Sequence, residues 1–376
     1  MFMRIKKCQF LQLISMCCVF SVLMVCWEDV DHHVVSHMRS YSYRYFINSY
    51  NFLNKSFSVS REEAKSFSRF PYLINHKNVC KGSEVLLILC VKSSPENFKR
   101  RQDIRATWGN ETYIDRELGV SVKVIFVMGV HHDHHTRDEI QKKLVREDRI
   151  FGDLVQQNFL DTFHNLTLKL LLQFHWVHSN CANAQFVMSA DDDIFIHMPN
   201  LVHYLQERSR QQVRDFWVGH VHRGSPPIRR KDSKYYMPFD MYQWSSYPDY
   251  TAGAAYVVSK DVAAKVYHAT LTLNASIYID DVFMGICGNA MGVSPQEHVY
   301  FSGEGKTVYH PCIYEKMMTS HGHDKDIRYL WKVATDPNVK GISSGLLGKL
   351  YCTAVKVTLL CKPYNVNSYP CRAAFS

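Results

Sequence analysis

The chain has 376 residues, enough for one large domain or two small ones. Hydrophobic residues make up 46% and aromatics 13%, which excludes a disordered chain. The formal charge of +9 comes from dispersed Lys and Arg with no basic arm, so the expected partners are anionic small molecules or lipid, and no nucleic acid.

In chain order, residues 1–7 carry Arg4, Lys6 and Lys7 and read as a short cytosolic tail. Cys8 to Trp27 is a run of twenty uncharged residues, sixteen of them apolar. That length suits one bilayer crossing, and the positive flank keeps the N-terminus cytosolic. A cleaved signal peptide would have a shorter apolar core, and Cys26-Trp27-Glu28-Asp29 is a poor cleavage site. An uncleaved signal anchor over 8–27 is therefore expected, with the rest lumenal. Residues 28–83 are rich in Ser, Tyr, Asn and charge without a sustained period, and read as a stem. The globular part is expected over 84–376.

Val85 to Val91 is a fully apolar run, typical of a strand buried on both faces. Glu96 to Trp108 reads as a helix with a basic face on which Arg101 and Arg105 fall together. Planar guanidinium groups suit phosphate oxygens, although a solvated basic face has the same pattern. A second strand is expected over 120–127. His131-His132-Asp133-His134-His135 follows Gly129 directly, where a solvent-exposed loop is the better reading than a metal site. Phe163, Leu166, Leu170, Phe174 and Val177 repeat at three and four residues, as a helix packed on a sheet does. A third strand, Phe186 to Ser189, leads into Asp191-Asp192-Asp193. Strand and helix alternate as in an α/β domain with a largely parallel sheet, whose ligands bind beyond the carboxyl ends of the strands.

The acidic triplet sits at such an end, between apolar runs. Adjacent buried carboxylates need a positive neighbour, and divalent Mg²⁺ or Mn²⁺ takes oxygen ligands together with a substrate phosphate. The other reading is an acidic turn after a core strand. Tyr247 to Tyr256 mixes aromatics with Gly253 and alanines, with Trp244 nearby. Tyr and Trp faces stack on sugar rings, yet a loop packed on the core would look the same. Asp280-Asp281, again among apolar residues, offers a general base or a helix N-cap. His321 could complete a carboxylate-bound metal site.

Eight cysteines lie beyond the expected anchor, without the close CxxC spacing of a zinc site. They read as up to four disulfides in an oxidising lumen. Sequons at Asn54, Asn110, Asn165 and Asn274 agree with that compartment. The apolar and basic stretch Ile342 to Lys362 reads either as a packed element stapled by disulfides or as a surface that touches membrane.

RRQDIRATWG at 100–109, FVMG at 126–129 and the stretch from Glu147-Asp148 to NLTLK at 165–169 are followed by ADDD at 190–193, YPDYTAGAAYVVS at 247–259 and DDVFMG at 280–285. In this order the segments resemble the β-1,3-glycosyltransferases that include the β-1,3-galactosyl- and β-1,3-N-acetylglucosaminyltransferases. The resemblance implies a GT-A-type fold, a type II Golgi membrane enzyme and a Mn²⁺ cofactor. It implies inverting transfer of GlcNAc from UDP-GlcNAc to O3 of a terminal galactose. Segments 36–50, 189–201, 301–323 and 369–375 extend the likeness to members whose acceptor is lactosylceramide, beside other galactose-terminated acceptors. By motif, Asp193 and His321 are implied metal ligands and Asp281 the catalytic base. Arg101, Arg105, Trp108, Asp191 and Asp192 fall on the donor side, and Trp244, Tyr250, Gly253 and Asp280 on the acceptor side. Asp280 stands where the family has Glu. A β-1,3-galactosyltransferase using UDP-galactose and a non-catalytic lumenal sugar-binding protein are the alternatives.

Overall fold

The computed structural model describes residues 12, 14–20, 38, 70–82, 84–270, 277–303, 305–323, 325–336, 342–361, 369 and 371–376. Most of the expected anchor and stem, with Asn54 and Asn274, lies outside them. Among the described residues no helix is long and apolar enough to cross a membrane.

The chain order is β1 (Tyr72–Ile74), β2 (Leu87–Lys92), α1 (Phe98–Arg105), α2 (Glu111–Leu118), β3 (Val122–Val130), α3 (Arg137–Phe151), β4 (Leu154–Leu160) and α4 (Leu166–Asn180). Then follow β5 (Phe186–Asp191), β6 (Ile194–Ile196), α5 (Met198–Arg210), β7 (Trp217–His222), β8 (Tyr250–Ser259), α6 (Lys260–Thr270) and α7 (Asp280–Met291). The described part closes with β9 (Gln296–Glu297), α8 (Pro311–Tyr314), β10 (Thr319–His321), α9 (Ile327–Ala334) and α10 (Gly345–Leu360).

An eight-stranded sheet runs β1-β4-β3-β2-β5-β8-β7-β9. Its middle, β4-β3-β2-β5, is parallel, while β8 is antiparallel to β5 and to β7. Two core layers cover the faces. Leu87, Leu89 and Val91 of β2 enter one, and Ile88 and Cys90 enter the other. Period-two alternation explains why an apolar run without polar gaps is the right sequence for a strand covered on both sides. The three expected strands and the helix over 163–177 are present, the helix entered through one 3₁₀ turn at Phe163–Asn165.

One expectation needs correction, and two open readings are settled. The domain begins before residue 84, because β1 pairs with β4 and Cys80 is bonded to Cys181. The polar composition of the stem hid a three-residue edge strand. The segment from Tyr250 is no loop: it is β8, antiparallel to β5 inside the sheet, with small residues where neighbouring elements press close. Gly285 of α7 shows the tightness, since a Cβ there would lie 2.8 Å from Tyr250 Cβ. Finally, the expectation of up to four disulfides is met by three among the described residues. These are Cys80–Cys181, Cys312–Cys352 and Cys361–Cys371, while Cys90 and Cys287 are buried thiols in the core.

A chain started at residue 84 loses β1 and the partner of Cys181, whereas one started at residue 60 keeps both. The shorter chain is expected to be less stable by roughly 2–5 kcal/mol, the usual cost of a lost native disulfide. Denaturant unfolding of the two chains measures the difference, and equal midpoints would place the boundary at 84 after all.

Candidate active site

The carboxyl ends of β2 and β5 lie side by side, with Lys92 in register with Asp191. The chain turns at the triplet and continues as β6, which pairs with β10 so that His321 faces Ile194. This small hairpin-like ladder brings an imidazole from 128 residues downstream of Asp193 back to it (321 − 193), with Nε2 3.3 Å from Asp193 Oδ1. Ligand atoms of Asp191, Asp193 and His321 all lie within 4.8 Å of one another. Two carboxylates and an imidazole form a donor set that suits Mn²⁺, and the close approach of two acids is the charge problem that a divalent cation relieves. The middle acid turns away. Asp192 accepts hydrogen bonds from Ser93 Oγ at 2.7 Å, Asn97 Nδ2 at 2.8 Å and Arg100 Nη1 at 2.8 Å.

The charges of the trio respond to one another. Burial opposes ionising Asp193, but the hydrogen bond and charge of His321, with Arg100, hold its carboxyl below the usual range. Burial likewise opposes protonating His321, and Asp193 outweighs it, raising the imidazole. Asp191 is raised by burial and by Asp280 and Asp193, against the pull of Lys92.

A cavity of about 510 Å³ opens beside the triplet, within the range of small-ligand sites. Its wall includes all three acids together with Lys92, Arg100 and Lys169. Lys169, on α4, is held by Asp161 Oδ2 at 2.9 Å and by the Ser93 carbonyl at 2.9 Å. Mixed acids and cations in one wall suit a ligand that carries phosphate with a divalent ion.

The second acidic pair opens α7. Ile279 is the N-cap, so Asp280 and Asp281 occupy the first helical turn rather than the cap itself. There the helix N-terminus favours negative charge. Lys92 Nζ reaches across from β2 to Asp280 Oδ2 at 2.9 Å and to the Gly253 carbonyl at 3.0 Å, with Asp191 Oδ1 at 3.1 Å. One buried ammonium therefore joins the triplet to the second pair. Its own pKa is well above the ordinary value, because Asp191 and Asp280 outweigh the cost of burial. Asp281 accepts from the Val282 N–H at 2.7 Å. Burial, then the charge of Asp280, pushes its carboxyl up to about 7, against the Val282 bond and Lys92. A carboxylate poised near neutrality suits a general base. Gly253 lies below the pair, where an added Cβ would sit 3.4 Å from Asp281 Cβ.

The structure moves several sequence candidates out of the cleft. Arg101 is fully buried, bonded to Glu147 at 2.9 and 2.7 Å and to the Ser94 and Pro95 carbonyls. Arg105 forks onto Asp153 at 2.7 Å through both Nε and Nη2 and also meets Glu147. Its guanidinium lies between the Phe126 and Phe151 rings. Trp108 is a core residue with no exposed surface. None of the three is placed to meet a donor; the basic face of α1 is an internal ion-pair network, and Arg100 is the residue that turns to the cavity. On the acceptor side, Tyr250 is buried, 5.0 Å from the His222 ring, and so packs rather than presenting a free face. Trp244 is partly buried against the core, and its carbonyl accepts from Arg229. Tyr247 is the aromatic to note in that segment: it is buried, its hydroxyl has no hydrogen-bond partner among the described residues, and it feels the charge of Asp281. Lys92, Arg100, Lys169 and Tyr247 were not singled out in the sequence; the available signal for Lys92 was a lone lysine closing a strand buried on both faces.

Of the sequons, Asn110 caps α2 through its side-chain oxygen, accepting from the Tyr113 N–H at 3.0 Å. The Asn165 amide donates to the Leu160 carbonyl. Asp133, His134 and His135 also bring ligand atoms within 4.8 Å, on the exposed turn after β3. His132 of the same turn lines the cavity.

A mixed α/β sheet with acids at its switch-point strand ends is a glycosyltransferase-like arrangement. Residues 99–299 match the galactosyltransferase family model, and the chain belongs to that family. It is 73% identical to the lactosylceramide 1,3-N-acetyl-beta-D-glucosaminyltransferase A of Danio rerio, over 99% of this chain and 98% of that one. It is 59% identical to the Xenopus tropicalis enzyme and 57% identical to the Homo sapiens enzyme, both called lactosylceramide 1,3-N-acetyl-beta-D-glucosaminyltransferase, at the same coverage.

The placement of Arg101 gives a test. Arg101→Ala removes one of Glu147's two arginine partners, the fully buried one, and is expected to lose up to about 3–5 kcal/mol of stability in denaturant unfolding. A stable variant with weakened nucleotide binding would instead restore Arg101 to the donor site.

Proposed function

We propose that this chain transfers GlcNAc from UDP-GlcNAc to O3 of the terminal galactose of lactosylceramide and related β-galactosides, with inversion at the anomeric carbon, and so starts the lacto- and neolacto-series of glycolipids. The observation that carries the reading is the junction of two acid sets through Lys92, in a chain more than half identical to several enzymes named for this reaction. The same reading takes the catalytic domain as GT-A type. It places the chain in the Golgi membrane with type II orientation, supported by the apolar run over 8–27 behind Arg4, Lys6 and Lys7.

Asp191, Asp193 and His321 would hold Mn²⁺, which when bound supplies Lewis-acid neutralisation of diphosphate charge. Arg100 and Lys169 present further positive charge to the same cavity, where UDP develops negative charge on leaving. Asp192 fixes Arg100 there. Asp281 accepts the proton of the galactose O3 as that oxygen bonds to C1 of GlcNAc and the bond from C1 to UDP breaks on the opposite face. Lys92 holds Asp280 in place beside it. Asp280 is one methylene shorter than the family's Glu; its carboxylate is turned inward to Lys92, which leaves Asp281 as the acid for the acceptor.

The family model's description keeps one rival in view, a β-1,3-galactosyltransferase using UDP-galactose. A matrix of both labelled donors against lactosylceramide, lactose and N-acetyllactosamine, with and without Mn²⁺, separates them. UDP-GlcNAc with Mn²⁺ is expected to win; a preference for UDP-galactose would reject the donor assignment, and no transfer with any pair would favour a sugar-binding protein.

Asp193→Ala is expected to abolish transfer and Mn²⁺-dependent UDP binding. Asp281→Asn is expected to keep UDP binding and lose turnover by about 100-fold or more, the scale of a general base. Titration calorimetry with UDP and Mn²⁺, beside rate measurement, distinguishes the two, and tight UDP binding by the first variant or normal rates in the second would refute the assignments. Because Asp281 acts only when ionised, the wild-type rate should rise with pH through about 7 and fall off below it. A rate flat from pH 5 to 8 would contradict that role.

A further inference from the structure

Helix α10 keeps only part of its surface inside the molecule. Cys352, Lys356 and Leu360 are buried, and the Cys312–Cys352 and Cys361–Cys371 disulfides hold the helix down at its middle and just past its end. Its first half is different. Leu346, Leu347, Leu350 and Tyr351 are 75%, 83%, 60% and 53% exposed, and Ile342 just before the helix is exposed as well. Three adjacent bare leucines on one helical turn are an apolar patch that water does not favour, and the disulfides prevent the helix from rolling to hide it.

The charge around the patch points to its partner. After Asp336 the chain carries no acidic residue through Ser376, while Lys340, Lys349, Lys356, Lys362 and Arg372 are basic. Lys349 is exposed between Leu347 and Leu350. An apolar stripe with Lys349 exposed beside it and no acid on its own helix matches a lipid interface, where leucines enter the acyl boundary and the lysine stays at the phosphates.

We propose that the first half of α10 is a membrane-contact face, seating Leu346, Leu347, Leu350 and Tyr351 in the lipid interface. The inference rests on the glycolipid reading above and deepens it. A two-sugar head group on ceramide projects only a short way from the bilayer, so the enzyme must come down to the surface to reach its galactose. A second contact besides an N-terminal anchor would hold the domain there.

The full chain, reconstituted in vesicles of phosphatidylcholine with phosphatidylserine, tests this. Leu346→Ser/Leu347→Ser/Leu350→Ser should lose about tenfold or more in transfer to lactosylceramide in the same vesicles, and keep the wild-type rate on free lactose. Lys349→Glu should lose less, and only when phosphatidylserine is present. A tryptophan introduced as Leu347→Trp should add fluorescence that acyl-brominated lipid quenches, a readout independent of turnover. Equal loss or no loss on both acceptors, or no added quenching, would overturn the proposal. So would a fall from dimer to monomer in the triple variant with no change in acceptor preference, which would make the patch a face between two copies. A quenched Leu347→Trp protein beside a wild type that transfers nothing to lactosylceramide, even in detergent, would instead reject the glycolipid reading and leave the membrane contact standing.

Discussion

A single ammonium group at the end of β2 has to serve carboxylates from two other elements at once. Lys92, itself buried, lies within 3.1 Å of Asp191 on β5 and 2.9 Å of Asp280 on α7, at the wall of the cavity. Neither side of this arrangement is tolerable alone. A buried lysine without acids would shed its proton, and the acids without the lysine would lose the charge that offsets their repulsion. The parallel register that sets Lys92 beside Asp191 is thus also what brings α7 down onto the sheet. Gly253 and Gly285 make the approach possible, since a side chain at Gly285 would collide with Tyr250.

From this junction the roles separate. The acids on the far side of Asp191 lean toward a metal: Asp193 is kept ionised beside His321. The acid on the far side of Asp280 leans toward proton chemistry: Asp281, crowded by its neighbour's charge, is pushed up to about 7. Environments that drive Asp193 down and Asp281 up are what a reaction needs when one end of the site must stabilise a leaving diphosphate and the other must accept a proton.

The α/β pattern was legible because its strands are short apolar runs separated by helical periods, a signal that depends only on neighbours in sequence. The triplet was legible for the same reason, since charged residues inside apolar runs must have a partner. Pairings between distant segments were not legible. Arg101 and Arg105 have the spacing of a phosphate grip, and nothing local shows that Glu147, 46 residues after Arg101, takes them both. The small and aromatic residues of β8 read equally as a sugar contact or a packed loop, because close packing between elements selects against bulk at the same positions. His321 was only one late imidazole among several until the family resemblance picked it out; the β6–β10 ladder that places it is three residues long on each side.

The junction claim is tested most directly by the pH–rate profile of Lys92→Met, measured beside wild type on lactosylceramide in detergent. Without the ammonium, Asp280 and Asp281 are left as an unrelieved pair, so the residual activity should require a more alkaline medium, with its acid limb moved above pH 7. An acid limb that stays where the wild type has it, with turnover near normal, would show that Lys92 does not join the two acid sets.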